Sequence, residues 1–434
     1  MFDGINSRRG FLKALFVGSA SLLDLIPFSK ALRSEILTLD PRIRVPNPFV
    51  TPEGKPILVC ISGIDYARML AAGLNVLGGL DRLIDNDQDV LIKPNLVYTE
   101  EYPTTSSLDS IVATIEAVRG ISSGAVRVGD CGSMDNEEIY EYLDLEPAIT
   151  EAGGELILFS DTYDVRRESW DPEVPDFMVF TDVYDAPIII NLCSLKRHRL
   201  AFLTCAIKSH VGTVSGPGRS DTRGYIHSFP GESDEFLEVI AETGGLINPE
   251  LTIVDAREIM AVDGPLRGYG GEIREANKVV ICGDVVAADA YCAQIMEAND
   301  DTFDATWTRP TLERAEELGM GTADLSQVEI IEIDETGLED FDGDSRPAGF
   351  DIHQNYPNPF NARTWIRYDL SEPSNVNVEI YDNLGRKIET LVAKMQPAGR
   401  HQLIWNAGGR SSGIYHCRIR VRDRIKTRKM LLLK

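Results

Sequence analysis

The sequence is short of positive charge. Its 434 residues contain 43 Lys and Arg against 68 Asp and Glu, a formal net charge of -25. Nucleic-acid-binding proteins gain most of their affinity by neutralising phosphates, so a nucleic-acid partner is not expected. The deficit is uneven, because residues 351–434 carry 15 Lys and Arg against seven Asp and Glu, a net +8 that leaves -33 for the first 350 residues. A solvated basic surface is the simplest interpretation of that end.

Closely spaced cysteines are also missing. The seven cysteines include no Cys-x-x-Cys pair, and the iron–sulfur clusters of ferredoxins need that spacing. An odd number of thiols, six of them before residue 300, favours buried cysteines over a disulfide framework. Convergence of Cys131, Cys193 and Cys205 on a metal stays open as an alternative.

The N-terminal apolar run is too short to cross a membrane. Residues 14–28 are interrupted by Asp24, and a spanning helix needs roughly 20 apolar residues. The run is typical of the hydrophobic region of an export signal. We therefore expect no membrane span in the mature protein.

The residues before this run are Ser7-Arg8-Arg9-Gly10-Phe11-Leu12-Lys13. They resemble the twin-arginine export signal, with Arg8 and Arg9 as the pair. The resemblance implies a signal peptide over residues 1–31 and export of a folded protein through the periplasm by the twin-arginine machinery. It also implies that a cofactor, such as a metal or an iron–sulfur group, could be loaded before export.

Strand-like and helix-like patterns alternate between residues 50 and 334. The strand-like runs are 57–62, 90–97, 125–130, 156–160, 188–192, 251–255, 279–283 and 328–333, and helical patterns include 109–118, 136–152 and 285–296. This alternation predicts an α/β domain with a mostly parallel sheet and helices on both faces. In such sheets the functional groups gather at the carboxyl ends of the strands.

Charged and polar residues follow several of these predicted strands. The candidates are Lys93, Asn95, Asp130 and Lys196 for substrate binding, His198, Lys208 and Asp263 for catalysis, and Asp255, His210 and Cys205 as weaker metal ligands. Basic residues after a strand in an acidic domain indicate a small anionic ligand, and an imidazole can transfer protons. The alternative is a solvated basic turn with a structural His198.

The same residues carry a family resemblance. The matching elements are Lys93-Pro94-Asn95, Leu195-Lys196-Arg197-His198, Lys208, Gly212, Asp255, Asp263-Gly264-Pro265 and Asp284 to Asp289. In this order they resemble the family called domain of unknown function 362, over about residues 57–296. The resemblance implies no established reaction, so an enzyme and a non-catalytic binding protein both stay open.

The spacing of His198, Lys208, His210 and His227 is also similar to that of the lactate racemase family. There, a Lys carries a covalent nickel-pincer nucleotide, and His residues ligate the metal or move the proton. The chain departs from that family at residues 200–205, Leu-Ala-Phe-Leu-Thr-Cys. This segment predicts a packed helix where the family has a Gly-rich approach to the Lys.

The last part of the chain predicts a separate β-sandwich. An acidic linker over residues 335–349 precedes short alternating runs over 350–434, a pattern typical of an immunoglobulin-like sandwich. Its motifs are 354–361 (Gln-Asn-Tyr-Pro-Asn-Pro-Phe-Asn), 380–387 (Ile-Tyr-Asp-Asn-Leu-Gly-Arg-Lys), 412–415 (Ser-Gly-Ile-Tyr) and 429–433 (Lys-Met-Leu-Leu-Leu). They closely resemble the sorting domain of the type IX secretion system, which implies export to the cell surface or beyond.

A carbohydrate-binding sandwich is the alternative for this domain. It would need Tyr356, Trp365 and Trp405 to form an exposed platform. For the whole chain, the sequence favours an exported enzyme that binds an anionic substrate or cofactor, with non-catalytic capture as the rival.

Overall fold

The computed structural model describes residues 39–133, 135–166, 176–214, 221–334, 349–355, 358–360 and 363–433. Arg8, Arg9 and most of the predicted linker lie outside these ranges. The chain forms two compact units, one containing Leu80–Glu332 and the other Ile333–Lys434. Within the described ranges, no helix has the length and apolar composition required to span a membrane.

Eleven strands belong to the α/β unit. They are β1 (Ile57–Ser62), β2 (Val90–Lys93), β3 (Val126–Val128), β4 (Glu155–Leu156), β5 (Thr162–Val165), β6 (Phe177–Phe180), β7 (Ile188–His198), β8 (Phe202–Thr204), β9 (Leu251–Ala261), β10 (Glu272–Cys282) and β11 (Glu329–Asp334). β5 and β6 pair with each other, and the other nine form one sheet in the order β11-β1-β10-β9-β7-β2-β3-β4, with β8 beside β7.

The strands that surround the candidate site run in one direction. β9, β7, β2, β3 and β4 pair in parallel, whereas β1 and β9 each pair antiparallel with β10. Buried β-branched residues such as those of β2 are expected where both faces of a parallel sheet are covered. The predicted α/β fold with a mostly parallel sheet is confirmed.

Helices connect the strands of this unit. They are α1 (Tyr66–Leu77), α2 (Leu108–Arg119), α3 (Asn136–Tyr142), α4 (Leu145–Glu151), α5 (Thr181–Tyr184), α6 (Ala206–Ser209), α7 (Asp221–Ile226), α8 (Asp234–Gly245), α9 (Val285–Asn299) and α10 (Arg309–Glu317). α9 is buried along most of its length, which explains why its sequence is apolar without a clear polar face. Asp284 caps its N-terminus by accepting from the amides of Val286 and Ala287.

The prediction of a helix over residues 200–205 is wrong. β7 continues to His198, turns, and pairs antiparallel with β8, so that Lys196 lies opposite Thr204 and His198 opposite Phe202. Phe202 adopts a φ of 59° beside this turn. Strand pairing satisfies the backbone here, and it places alternate residues of β7 on one side of the hairpin.

The C-terminal unit is a sandwich of two antiparallel sheets. Its strands are β12 (Asp351–Ile352), β13 (Arg363–Leu370), β14 (Ser374–Asp382), β15 (Lys387–Gln396), β16 (Gly399–Asn406), β17 (Gly413–Val421) and β18 (Arg424–Leu432). The sheets, β12-β13-β16 and β15-β14-β17-β18, share one apolar core. Trp405 is fully buried in it and Trp365 is 7% exposed, so the alternative of an exposed aromatic platform is wrong for both. Tyr356 lies outside the described residues.

Candidate anion-binding pocket

A pocket with a cavity volume of about 100 Å³ lies at the edge where β2, β3 and β7 end. Parallel strands present their carboxyl ends at the same edge, which explains why segments distant in sequence meet there. The polar and charged side chains that line the pocket are Asn95, Asp130, Ser133, Lys196, His198, Thr204, Lys208, Ser209, Arg223 and His227. Most of the predicted binding residues are therefore brought together.

Lys93 and Asp130 form a buried ion pair beside the pocket. Their Nζ and Oδ1 atoms are 2.8 Å apart, and Lys93 also donates to Pro94 O and Ser209 Oγ, both at 3.0 Å. The backbone of Gly212 packs against this pair so closely that a Cβ there would lie 2.0 Å from Asp130 Oδ1. Asp130 matches the charge of Lys93, and the three N–H groups of this lysine have partners within the protein, so Lys93 supports the pocket wall; its predicted role in ligand binding stays a prediction.

Lys196 is fully buried on β7. It donates to Asn95 Oδ1, to Thr104 O and, at 3.3 Å, to Ser194 Oγ. All three acceptors are neutral, so no carboxylate of the described ranges compensates the charge of Lys196 directly. Burial, followed by the nearby charge of Lys208, lowers the pKa of Lys196 to about 7.

Lys208 on α6 differs from the other two lysines. It is half-buried and lines the pocket, and its Nζ has no hydrogen bond or ion pair with any residue that the structure describes. Burial and then the charges of Arg223 and Lys93 lower its pKa to about 8. Lys208 therefore offers an uncommitted amine to the pocket.

Arg223 on α7 supplies a third cation to the pocket wall. Its guanidinium donates to the carbonyl oxygens of Gly132 at 2.6 Å and Val211 at 2.8 Å, and also to that of Cys131. Burial lowers its pKa. As with Lys196, these acceptors are neutral oxygens, so the positive charge of Arg223 can attract an anion in the pocket.

His198 presents a hydrogen-bond donor to the pocket. Its Nδ1 accepts from the backbone N–H groups of Leu200 at 3.1 Å and Ala201 at 3.2 Å. These two donors assign the proton of the neutral ring to Nε2. Burial, then Lys208 and Lys196, hold the pKa of His198 well below its usual value. This arrangement favours hydrogen-bond donation over the abstraction of a proton or the ligation of a metal.

Asp263 lies outside the pocket lining. Arg199, at the tip of the β7–β8 hairpin, contacts both of its carboxylate oxygens at 2.7–2.9 Å. The pair is partly exposed. Asp263 thus fixes the hairpin, while Pro265, two residues later, reaches the pocket. The structure does not bring Asp263 to the position that a catalytic role in this pocket requires.

The three predicted metal ligands are not brought together. Asp255 is buried in a separate network with Arg257, and His210 and Cys205 are fully buried outside the pocket lining. The ring nitrogens of His210 have no partner within the described residues, and burial lowers its pKa to about 3. Across the described part of the chain, no group of three or more His, Cys, Asp or Glu is placed to hold a metal.

The pocket therefore does not fit the nickel-pincer cofactor in the way that the spacing suggested. Lys208 is accessible, but His210 points elsewhere and His198 commits Nδ1 to the backbone. A metal on Nε2 of His198 would require that nitrogen to lose its proton while Nδ1 keeps both donors.

Sequence reasoning missed Arg223 and Thr204. Arg223 stands in a short helix, and nothing in its local pattern separates it from a solvated arginine. Thr204 is 3% exposed, and its hydroxyl has no partner in the described structure although it lines the pocket. Its position opposite Lys196 could have been found only from the hairpin, which the sequence pattern did not indicate.

Comparison with known proteins identifies both parts of the chain. Residues 90–294 match the family described as Domain of unknown function (DUF362), and residues 354–433 match the Secretion system C-terminal sorting domain. A thylakoid-associated protein of Synechocystis sp. is 26% identical over 260 residues, which are 57% of this chain and 73% of that protein.

Two solved structures share less with this chain. PorZ, a bacterial surface component of the type IX secretion system of Porphyromonas gingivalis, is 20% identical over 20% of this chain and 12% of that protein, with a TM-score of 0.15. The lactate racemase apoprotein from Thermoanaerobacterium thermosaccharolyticum is 10% identical over 60% of this chain and 62% of that protein, with a TM-score of 0.37. Neither similarity covers two thirds of the solved protein. The chain thus carries a DUF362 domain followed by a secretion-system sorting domain, which supports export to the cell surface or the extracellular space.

Proposed function

We propose that this protein is an exported enzyme that binds a small anionic substrate in the pocket at the ends of β2, β3 and β7. The observation that carries the proposal is a set of three cations that line the pocket without a carboxylate partner among the described residues, namely Lys196, Lys208 and Arg223. Asp130 is the carboxylate of the lining, and Lys93 already pairs with it.

The electrostatic cost of this arrangement supports a ligand. Buried charges are normally paired, because their desolvation is expensive. Here burial has the largest effect on both amines; the charges of Arg223 and Lys93 then lower the pKa of Lys208, and those of Lys208 and Lys93 lower the pKa of Lys196. A bound carboxylate or phosphate reverses these shifts, because it stabilises the protonated form of each amine.

Lys208 supports chemistry over simple capture. Near neutral pH, an amine with a pKa of about 8 is partly unprotonated and can act as a base or a nucleophile. The Nε2–H group of His198 can donate a hydrogen bond to an oxygen of the substrate. Capture of an anion needs only the cations. The partly unprotonated amine of Lys208 beside the His198 donor is an additional feature, and it favours catalysis over capture.

Calorimetry of the full chain with inorganic phosphate tests the anion site. Titrations in buffers of different ionisation enthalpy measure the protons taken up on binding. We expect proton uptake near pH 8, because the anion raises the pKa values of Lys196 and Lys208 from about 7 and about 8. The absence of phosphate and acetate binding at millimolar concentration would contradict the proposal.

Non-catalytic capture is the alternative for the same pocket. It is favoured by the commitment of Lys93, Asp130 and Lys196 to the protein itself. If small anions bind but Lys208 proves unreactive toward every substrate class offered, the pocket is one for capture.

The route of export is a separate part of the proposal. The sorting domain supports secretion through the type IX machinery, and the twin-arginine segment stays a prediction. Replacement of Arg8 and Arg9 by Lys is expected to retain the precursor inside the cell, as measured by fractionation and immunoblotting. Unchanged secretion of the double variant would exclude the twin-arginine route.

A further inference from the structure

We propose that Lys208 forms an imine with the carbonyl group of a small 2-oxo acid. This inference rests on the proposed anion pocket and names the class of substrate that the pocket takes. It does not follow from anion binding itself, since a cationic pocket can hold an anion without any covalent step.

The amines near the pocket differ in their freedom to react. Lys93 and Lys196 each donate three hydrogen bonds or ion pairs to protein atoms. Lys208 has no partner among the described residues and lines the void. An amine can attack a carbonyl carbon only with a free lone pair, so Lys208 is the nucleophile that this geometry provides.

The environment keeps that amine neutral enough to react. Arg223 lines the same pocket as Lys208, and burial together with the charges of Arg223 and Lys93 disfavours protonation of the Lys208 amine. Cations beside a lysine are a recognised way to prepare it for imine formation.

The size and charge of the pocket limit the substrate. The cavity that Lys208 shares with Lys196 and Arg223 has a volume of about 100 Å³, so the anionic group and the reacting carbonyl must be only a few bonds apart. A 2-oxo acid meets this condition, because its carboxylate is bonded directly to the carbonyl carbon. The cations bind the carboxylate while Lys208 faces the ketone.

Two donors fit the oxygen atoms of such a substrate. The Thr204 hydroxyl is buried at the pocket without a partner in the described structure, and an unpaired buried hydroxyl is destabilising until an acceptor binds it. The Nε2–H group of His198 is the second donor. A substrate with both a carboxylate and a carbonyl oxygen has enough acceptors for these groups.

The covalent step balances without an oxidant, a reductant or a metal. The Nζ lone pair forms a bond to the carbonyl carbon, and the π electrons of the C=O bond move to oxygen, which gives a carbinolamine. The C–O bond then breaks, and the oxygen leaves as water with the two hydrogens that the amine supplied. The His198 Nε2–H group stabilises the developing negative charge on oxygen by hydrogen bonding.

Reductive trapping tests the inference on the full chain. The protein is incubated with pyruvate at pH 8, treated with sodium borohydride, digested and mapped by mass spectrometry. We expect Lys208 to gain the mass of pyruvic acid less one oxygen atom. Trapping at Lys208 should exceed trapping at the exposed Lys55 by at least about tenfold, because a desolvated amine beside cations is more often unprotonated.

Two controls identify the cause of any adduct. Lactate carries the same carboxylate but has no ketone, so it should give no adduct. The variant Lys208→Arg keeps the positive charge but has no primary amine, so it should lose the pyruvate adduct.

The possible outcomes separate this inference from the proposed anion site. Phosphate binding without an adduct on Lys208, or equal modification of Lys208 and Lys55, would overturn the imine and leave the anion site standing. Loss of phosphate binding by the wild-type protein would overturn both. An adduct confined to Lys208 in the wild-type protein would support the imine even if Lys208→Arg did not fold.

Discussion

Two buried charge clusters of the α/β unit are built in opposite ways. In the first, the Asp255–Arg257 network, Arg257 lies 2.7 Å from Asp255 and 2.7 Å from Asp109, and Tyr102 and Ser107 donate to Asp255. The second is the pocket, where Lys196 and Arg223 donate to neutral oxygens and Lys208 has no partner among described residues.

The directions of the pKa shifts follow this difference. In the network, hydrogen bonds to Asp255 and Asp109 overcome the effect of burial and raise the pKa of Arg257. In the pocket, burial lowers the pKa values of Lys196, Lys208 and Arg223, and neighbouring cations lower those of the two lysines further. Matched charges favour the folded state, whereas unmatched charges of one sign cost stability and favour a ligand of the opposite sign.

The largest expected effect is on the network. Arg257→Met leaves the fully buried carboxylate of Asp255 without its cation, and loss of one partner of a buried pair costs about 3–5 kcal/mol. Urea denaturation followed by circular dichroism measures the loss of unfolding free energy. Phosphate affinity should not change, since Arg257 does not line the pocket. A loss of unfolding free energy below about 1 kcal/mol would show that Arg257 and Asp255 do not form a matched pair of buried charges.

The corresponding change in the pocket should have the opposite pattern. Lys208→Met removes an unmatched cation, so we expect phosphate affinity to fall at least about tenfold, or about 1.4 kcal/mol, without a loss of unfolding free energy. Calorimetry and urea denaturation measure the two quantities. Lys55→Met, at an exposed lysine, is the matched control. Equal phosphate affinity of the two variants would contradict the role of Lys208.

The pH dependence of stability should differ between the two clusters. The pKa of Lys208 is about 8 in the folded state and about 10.5 when unperturbed. Between these values the unfolded state holds the proton and the folded state does not, so the Lys208 contribution to unfolding free energy rises with pH. Below about pH 8 both states are protonated and this contribution is constant.

Subtraction of the Lys208→Met curve from the wild-type curve isolates this contribution. The difference should increase from about pH 8 toward pH 10, and phosphate affinity should fall over the same rise in pH as the amines lose their protons. A flat difference between the two stability curves would mean that Lys208 has an ordinary pKa in the folded protein.

The smallest expected effect is at Thr204. Thr204→Val removes a buried hydroxyl that has no partner in the described structure, so the ligand-free protein should become more stable by about 1 kcal/mol or less. Pyruvate binding should weaken a few-fold, because a donor to the substrate is lost. Thermal unfolding and calorimetry measure the two changes. Weakened stability with unchanged binding would place the hydroxyl in a structural role.

Much of the fold could be predicted from periodicity. β1 has the predicted bounds of 57–62, and the ends of α2, β3 and β2 lie within one, two and four residues, respectively, of the predicted ends. The helix predicted over residues 200–205 was wrong because a short apolar run is compatible with either a helix or a strand. Pairing with β7 makes part of this run the strand β8. The long antiparallel pairing of β9 with β10 was missed because the apolar runs 251–255 and 279–283 cover less than half of each strand.

The sequence by itself determined that an α/β domain precedes a secretion-sorting sandwich, because strand periodicity, turn residues and ordered motifs are local properties of the chain. It also placed Lys196, His198 and Lys208 near one strand end. Only the tertiary structure decided which lysine is free, because that depends on where Asp130, Asn95 and Thr104 lie in space. The role of a charged residue depends on its partners, and these can be distant in sequence: Asn95, a partner of Lys196, lies 101 residues away in the chain.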